Sequence, residues 1–213
     1  MPDQASDRSE ALAALRASDP VLARLIDGLA PVDLQTWRNR WSFDNFRALA
    51  RAIVGQQIAT RAASAIFDRL QSLIGDRDPA TAIAEASDAD LRSVGLSAAK
   101  TASLRDLAAR TLDGRLDLDA LGALSDDEAR AQLTQVRGIG RWTAEMFLLV
   151  QLGRPDVLPA GDLGIRQAVR AAYGMERVPT EDEVRRLSEA WRPNRSLATT
   201  YLYSSLRGAG RVR

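Results

Sequence analysis

Apolar residues recur at intervals of three and four positions along most of the chain, and no stretch of useful length alternates apolar with polar positions. This pattern predicts helices, and polar signals mark where several of them begin. Asp19 precedes Pro20 as a capping residue before a first helical turn, and Thr180 to Glu183 has the spacing of a capping box. We therefore predict an all-α fold.

The segment from 136 to 144 joins two of these helices through a glycine-rich hairpin. Ser125 to Glu128 forms a capping box before the first helix, and an apolar stripe begins again at Trp142. Gly138 and Gly140 carry no Cβ, so the main chain here can approach a ligand closely. Gly140 also stands at the N-terminus of the second helix, where unpaired amides attract an anion. The pattern indicates a phosphate-binding hairpin, and a plain helix-turn-helix corner remains the alternative.

The sequence VRGIGRWTAEMFLL, from 136 to 149, resembles the helix-hairpin-helix of the DNA base-excision glycosylases. In that family an essential aspartate follows, at the start of the next helix and after a short loop rich in proline and glycine. Asp162 matches it, after Pro159 and Gly161. Read alone, Asp162 would be an N-cap residue, and the two roles are compatible because a helix N-terminus favours an ionised carboxylate.

The chemistry that this resemblance implies is hydrolysis of an N-glycosidic bond. Cleavage leaves a sugar with oxocarbenium character, which a fixed carboxylate stabilises, and the same group can orient or deprotonate the attacking water. An alkylated, cationic base departs as a neutral molecule and requires little general-acid help, which suits a chain without histidine. Asp162 is thus the predicted catalytic residue, and no cofactor is required.

The sequence FRALARAIVGQQIA, from 46 to 59, resembles the Gln-Gln segment of alkylation-repair glycosylases. The resemblance implies that Gln57 fills the space left by a flipped nucleotide, and that Gln56 lines the edge of the base pocket. Flipping costs a few kcal/mol, so an enzyme of this kind must fill the vacated stack. Two glutamines that cap an ordinary surface helix are the alternative interpretation.

The sequence WRPNRSLATTYLY, from 191 to 203, resembles the Trp-x-Pro-x-Arg-Ser-x-Ala motif of the same family. By this resemblance Tyr203 and Trp142 are aromatic walls of the base pocket, where a cationic base gains cation-π energy. Met146 stands where some relatives carry tyrosine, which predicts a more open pocket. Core packing is the alternative for each aromatic residue, and the favoured one for Trp191.

The hairpin also predicts how the reaction ends. Bifunctional members of the superfamily carry a lysine at the position of Trp142, where its amine forms a Schiff base that leads to strand cleavage. The only lysine of this chain is Lys100, which we interpret as a phosphate contact or as a solvated surface charge. We therefore predict a monofunctional glycosylase that leaves an intact abasic site.

The resemblance assigns further roles to the hairpin and its flanks. Its main-chain carbonyls are expected to hold a structural Na⁺ or K⁺ ion, through Thr134, Val136 and Ile139. The DNA contacts that the resemblance implies are Lys100, Gln57, Arg137, Gly138, Gly140, Arg141 and Thr143.

Composition sets limits on these roles. The 213 residues carry a formal net charge of +1 and include neither cysteine nor histidine, which excludes disulfides, thiol catalysis and a cysteine-bound iron-sulfur cluster and argues against zinc. The net charge is modest for a DNA-binding protein, but amides that hold phosphate add no formal charge. Four arginines lie in or beside the motifs, as DNA contacts or as solvated charges: Arg137, Arg141, Arg166 and Arg195.

The resemblance implies two helical lobes, with the base pocket and active site in the cleft between them. Residues 43–157 would form a contiguous bundle with the hairpin, and residues 1–42 plus 158–213 the second lobe. No apolar run approaches the ~20 residues needed to span a bilayer, and no signal peptide is visible. We expect a cytoplasmic, nucleoid-associated monomer that acts on double-stranded DNA and not at a membrane.

The function that the resemblance implies is that of the DNA-3-methyladenine glycosylase II type. Such an enzyme flips out an alkylated base and excises it, which starts base excision repair. A glycosylase for oxidised or mismatched bases and a non-catalytic helix-hairpin-helix DNA-binding module remain alternatives. A helical regulator with no DNA role is a further one.

Overall fold

The structure is a computed structural model that describes residues 4–32 and 43–209. Within these residues every regular element is helical, so the predicted all-α fold is confirmed. The α-helices are α1 (Gln4–Ser18), α2 (Pro20–Asp27), α3 (Asn45–Gly55), α4 (Thr60–Ile74), α5 (Pro79–Glu85), α6 (Asp88–Ser93), α7 (Ala98–Leu112), α8 (Asp126–Leu133), α9 (Arg141–Met146), α10 (Leu163–Tyr173), α11 (Glu181–Leu187) and α12 (Arg195–Ala209). Short 3₁₀ turns occur at Ala120–Ala123 and Ser188–Trp191, and a π-helical turn at Phe147–Gln151 extends α9. None of the helices in this part of the chain is long and apolar enough to cross a membrane.

The helix starts lie where the polar signals predict them. Ser125 and Glu128 form a reciprocal capping box at the start of α8, in which the Glu128 carboxylate accepts the Ser125 amide at 2.9 Å. Thr180 and Glu183 do the same at α11, with the corresponding distance at 2.7 Å. Such caps occupy amides that would otherwise lack a partner, and each contributes about 1 kcal/mol.

The chain divides into two compact units. The contiguous unit is Trp41–Leu152, and the terminal unit consists of Met1–Arg40 together with Gly153–Arg213. The sequence interpretation placed the corresponding boundaries at 43 and 157.

The core of the contiguous unit is built around α7. This helix packs against α3, α5 and α6, and α4 packs against α3 and α5. Leu104 and Leu107 of α7 and Leu49 and Ile53 of α3 are all fully buried in this core. Each such aliphatic side chain contributes about 1.5–3 kcal/mol when it is removed from water. The packing makes α7 the central support of the unit.

The core of the terminal unit joins residues from both ends of the chain. Leu15 and Leu22 of α1 and α2 pack in one buried cluster with Ile165 of α10 and Leu202 of α12. Trp191 is fully buried in the same cluster, so its interpretation as a core residue is confirmed.

A buried carboxylate organises the polar part of this core. Asp19 caps α2 by accepting the amides of Val21 and Leu22, at 2.9 and 3.0 Å. Its other oxygen accepts the indole N–H of Trp191 at 2.8 Å and the hydroxyl of Tyr173. Burial tends to raise the pKa of Asp19, but these hydrogen bonds outweigh it and hold the pKa below its ordinary value.

We expect Asp19→Asn to lower the free energy of unfolding by about 2–3 kcal/mol, because an amide cannot accept all four hydrogen bonds. The folded-state pKa of Asp19 lies below 3.8, so its stabilisation is present above pH 3.8 and is lost as the pH falls through the folded-state pKa. Urea unfolding of both proteins across acid pH checks this. The gap between wild type and variant should shrink below pH 3.8; a gap that widens there would contradict the assignment.

Candidate functional site

Asp162 lies at the N-cap of α10, immediately after the loop from 158 to 161. Its Oδ1 accepts the amide of Ile165 at 2.9 Å, and its own amide donates to the carbonyl of Pro159 at 2.9 Å. The side chain is half-buried. The N-cap interpretation is therefore confirmed, and the capping bond fixes the direction of the carboxylate at the positive end of the helix dipole.

A glycine beside Asp162 keeps the space around the carboxylate open. A Cβ placed on Gly164 would lie 2.9 Å from the Asp162 Oδ1 and 3.5 Å from both Tyr203 Cε1 and Leu206 Cδ1. Asp162 and Tyr203 are thus neighbours in the terminal unit, as the two motifs require. Tyr203 also packs against the core of this unit, as the core-packing interpretation expects. Its role as a wall of the base pocket stays a prediction.

The Arg-Ser pair of the C-terminal motif holds the segment that leads to Asp162. The Ser196 hydroxyl accepts the amide of Val157 at 2.9 Å, and the Ser196 amide donates to the carbonyl of Pro155 at 3.0 Å. The Arg195 guanidinium donates to the Asp156 carboxylate at 2.7 and 2.9 Å and to its carbonyl at 2.8 Å. The motif therefore anchors residues 155–157, the chain segment that precedes the loop before Asp162.

Three of the four arginines considered as DNA contacts have partners within the protein. Arg195 is bound to Asp156, and Arg166 donates to the carbonyl of Pro179 at 2.6 Å. Arg141 donates to buried Glu145 at 2.8 Å, although the Arg141 side chain keeps half of its surface in water. Arg137 is exposed. Of this set, Arg137 and Arg141 retain the exposure that a phosphate contact requires.

The hairpin depends on Gly138 for an internal reason. Gly138 has a φ of +79°, and a Cβ there would lie 2.5 Å from the Ser103 hydroxyl oxygen on α7. Gly140 has a φ of −88°, and a Cβ there would meet no atom of the described residues within 4 Å, its chain neighbours aside. A close approach of the main chain was expected at both glycines. Gly138 closely approaches Ser103 of the protein itself, whereas the space beside Gly140 is open.

Two amides of the hairpin already donate to acceptors within the protein. The Arg137 N–H donates to the Asp106 carboxylate at 2.7 Å, and the Ile139 N–H donates to the Val136 carbonyl at 3.0 Å. At the start of α9, Gly140 provides no capping side chain. The main-chain amides open to a phosphate are therefore those at the start of α9 and not the amides of Arg137 and Ile139.

Seven of the predicted site residues line one cavity of the contiguous unit, with a volume of about 590 Å³. They are Gln56, Gln57, Gly138, Gly140, Trp142, Thr143 and Met146. The Trp142 side chain is 48% exposed, which is unusual for tryptophan and does not fit core packing. Thr143 is 5% exposed, so little of this residue is open to a DNA contact.

The two glutamines behave differently. Gln56 is half-buried, and its Nε2 donates to the Gly138 carbonyl at 2.8 Å, which joins the end of α3 to the hairpin. Gln57 is exposed and has a φ of +58°, in the left-handed region that a non-glycine residue rarely adopts. The strained backbone turns the chain sharply at Gln57, directly after α3.

Residues 50–193 match the model of a protein family, described as "HhH-GPD superfamily base excision DNA repair protein". The matched residues include the Gln-Gln pair, the hairpin and Asp162. The chain belongs to the HhH-GPD superfamily.

Individual relatives within the HhH-GPD superfamily carry related names. The chain is 38% identical over 164 residues to DNA-3-methyladenine glycosylase 1 of Schizosaccharomyces pombe, which covers 75% of this chain and 72% of that protein. It is 29% identical over 174 residues to a DNA-3-methyladenine glycosylase of Bacillus subtilis, covering 76% of this chain and 57% of that longer protein. Its fold matches the solved S. pombe 3-methyladenine DNA glycosylase in complex with abasic DNA, with a TM-score of 0.81, 32% identity, and coverage of 96% and 100%.

Lys100 is the site residue of this HhH-GPD chain whose surroundings differ most from the sequence interpretation. Its ammonium donates to the Val54 carbonyl at 2.7 Å, near the C-terminus of α3. Burial lowers the pKa of Lys100. The sequence interpretation offered DNA phosphate or bulk water as its partner and did not consider a carbonyl within the protein.

One of the three predicted cation ligands, the Val136 carbonyl, has a hydrogen-bond partner within the hairpin. The Val136 carbonyl accepts the Ile139 amide, and a carbonyl oxygen has a second lone pair for a monovalent ion. Thr134, Val136 and Ile139 as ion ligands remain a prediction.

Proposed function

We propose that this protein is a DNA glycosylase that excises alkylated bases of the 3-methyladenine type from double-stranded DNA. The observation that carries the proposal is the position of Asp162. Its carboxylate is fixed by an N-cap hydrogen bond, and it follows the hairpin within the segment that matches the family model. The names of the relatives, and the abasic DNA bound to the solved S. pombe enzyme, support the same substrate class.

In the proposed mechanism, Asp162 stabilises the positive charge that develops on the deoxyribose as the base leaves. An ionised carboxylate held in one orientation requires no reorganisation during the reaction, which is the condition for strong electrostatic catalysis. The Ile165 amide provides that orientation at 2.9 Å. Asp162 also orients or deprotonates the water that completes hydrolysis.

The DNA would be held by main-chain donors around Gly140 and by the exposed side chains of Arg137 and Arg141. Gln57 would enter the stack in place of the flipped nucleotide. Its exposure and its position at the sharp turn after α3 support this role. A side chain that replaces a flipped nucleotide has to project from the surface on a rigid main chain.

Trp142 is proposed as the surface on which the cationic base stacks. We expect Trp142→Ala to slow release of an alkylated, cationic base by about tenfold or more, because stacking and cation-π contacts contribute about 1–3 kcal/mol. Trp142→Phe should recover a large part of the rate. Single-turnover base release measures both variants. Equal rates for wild type and Trp142→Ala would remove Trp142 from the base pocket.

We also propose that the enzyme is monofunctional, because the hairpin position of the lyase lysine carries Trp142. The decisive experiment is a panel of duplexes with methylated, oxidised or mismatched bases, assayed for free base and for strand breaks with and without alkali. Release from methylated duplexes, with breaks only after alkali, is the expected result. Release restricted to oxidised or mismatched bases would overturn the substrate class, and breaks without alkali would overturn monofunctional cleavage.

A further inference from the structure

One face of α7 contacts both segments that the proposed function places on DNA. Lys100, Ser103 and Asp106 are spaced three residues apart and therefore share a face of the helix. Lys100 reaches the end of α3, and Ser103 and Asp106 reach the hairpin.

At the first contact, the Lys100 ammonium donates to the Val54 carbonyl at 2.7 Å. Val54 is in the last turn of α3, three residues before Gln57. Carbonyls at a helix C-terminus lack intrahelical partners and carry partial negative charge, so a half-buried cation is a favourable partner there. The contact holds the C-terminus of α3 in place, and the turn at Gln57 follows directly after it.

At the second contact, the hairpin rests on Ser103 and Asp106. The Asp106 carboxylate accepts the Arg137 amide at 2.7 Å and is itself held by the Arg110 guanidinium at 2.9 Å. Burial tends to raise the pKa of Asp106, but these bonds hold it below its ordinary value, so the acceptor is ionised at neutral pH. Gly138 lies against Ser103 with no space for a Cβ.

A third bond connects the two segments directly. The Gln56 amide group donates to the Gly138 carbonyl at 2.8 Å. The end of α3, the hairpin and α7 therefore form a closed set of contacts within the contiguous unit. In a closed set, each bond restricts the geometry of the other two.

We infer that Lys100 and Asp106 are positioning residues, which hold the Gln57 turn and the hairpin at one fixed separation. Neither residue has to touch DNA for this role. The hairpin would hold the backbone of any duplex, whereas Gln57 would act only where a nucleotide leaves the stack. The inference rests on the proposed function for the roles of the two segments.

Lys100 is tested with a duplex that contains a tetrahydrofuran abasic analogue and with the matching intact duplex, each titrated at several salt concentrations. We expect Lys100→Met to reduce the preference for the abasic duplex by about tenfold, the loss of a charge-assisted hydrogen bond, without changing the salt slope. Lys100→Arg keeps a donor and should retain the preference.

Two results would overturn the positioning role of Lys100. A parallel loss on both duplexes, with a salt slope smaller by about one, would make Lys100 a phosphate contact. An unchanged preference in Lys100→Met would show that the bond to Val54 has no effect on the turn. Arg92→Met removes one exposed charge from the same unit and is the matched control for net charge.

Asp106 is tested in the same assay and serves if Lys100→Met does not fold. Asp106→Ala should weaken binding to both duplexes by about tenfold alike, because the hairpin loses an anchor that acts before any base is flipped. Asp106→Asn retains an oxygen that accepts the Arg137 amide and should bind like wild type. Equal losses in both variants, or tighter binding by Asp106→Ala, would overturn the inference.

These measurements separate the positioning role from the proposed function. Binding to the abasic duplex requires no base release, so a wild-type protein that releases no methylated base would fail the function while the variants still test positioning. Conversely, an active enzyme whose Lys100 and Asp106 variants behave like wild type would fail only the positioning role.

Discussion

Asp162→Asn is expected to abolish release of methylated bases, with a loss of at least about a thousandfold in the single-turnover rate. The substitution removes the negative charge that the oxocarbenium-like sugar requires. It keeps an oxygen for the Ile165 amide, and asparagine caps helices as well as aspartate does. The variant should therefore fold and bind abasic duplex like wild type while it loses chemistry.

A second aspartate provides a matched control for this prediction. Asp78 caps α5 in the same way, and its carboxylate accepts the Thr81 amide at 2.7 Å. Asp78→Asn makes the same chemical change at another N-cap and should leave base release unchanged. Asp162→Asn with more than about a tenth of the wild-type rate would show that Asp162 is a structural cap only.

Gly138→Ala is expected to have the largest effect on the fold of the hairpin. The new Cβ would clash with Ser103 at 2.5 Å, and the residue would be held at a φ of +79°. Together these should lower the free energy of unfolding by about 2–4 kcal/mol and weaken duplex binding by tenfold or more. Chemical denaturation and duplex titration measure the two effects.

Gly140→Ala is the matched variant for this prediction. Its Cβ meets nothing within 4 Å in the part of the chain that the structure describes, and its φ is −88°, so the fold should be as stable as wild type. Any loss of DNA affinity in Gly140→Ala would then show that DNA approaches the main chain closely at Gly140. Adding Ser103→Ala to Gly138→Ala removes the hydroxyl and should recover part of the stability. Equal destabilisation by both glycine variants would contradict this division of roles.

The local parts of this structure could be predicted from the sequence. Capping boxes at Ser125 and Thr180 and the N-cap role of Asp162 are short-range features, because each depends on residues within one helical turn. The same holds for the positions of the hairpin glycines. The site residues that line the cavity could be predicted only from the family motifs. A motif records which residues the fold brings together, and hydrophobic periodicity does not.

The partners of the charged residues could not be predicted in this way. Lys100 binds a carbonyl 46 residues away, Asp106 an amide 31 residues away and Arg195 a carboxylate 39 residues away. A single sequence shows that a residue carries charge but not which buried polar group the fold brings to it. DNA and water were therefore the only partners that the pattern could suggest.

The terminal unit has a consequence for the order of synthesis. Its core requires α1 and α2, which are synthesised before the contiguous unit, and α12, which is synthesised after it. The bonds from Arg195 and Ser196 that secure the approach to Asp162 likewise form only after α12 has emerged. A nascent chain can thus complete its hairpin well before the segment that precedes Asp162 is secured. With Asp162 in its proposed role, partial translation products that lack α12 are expected to release no base.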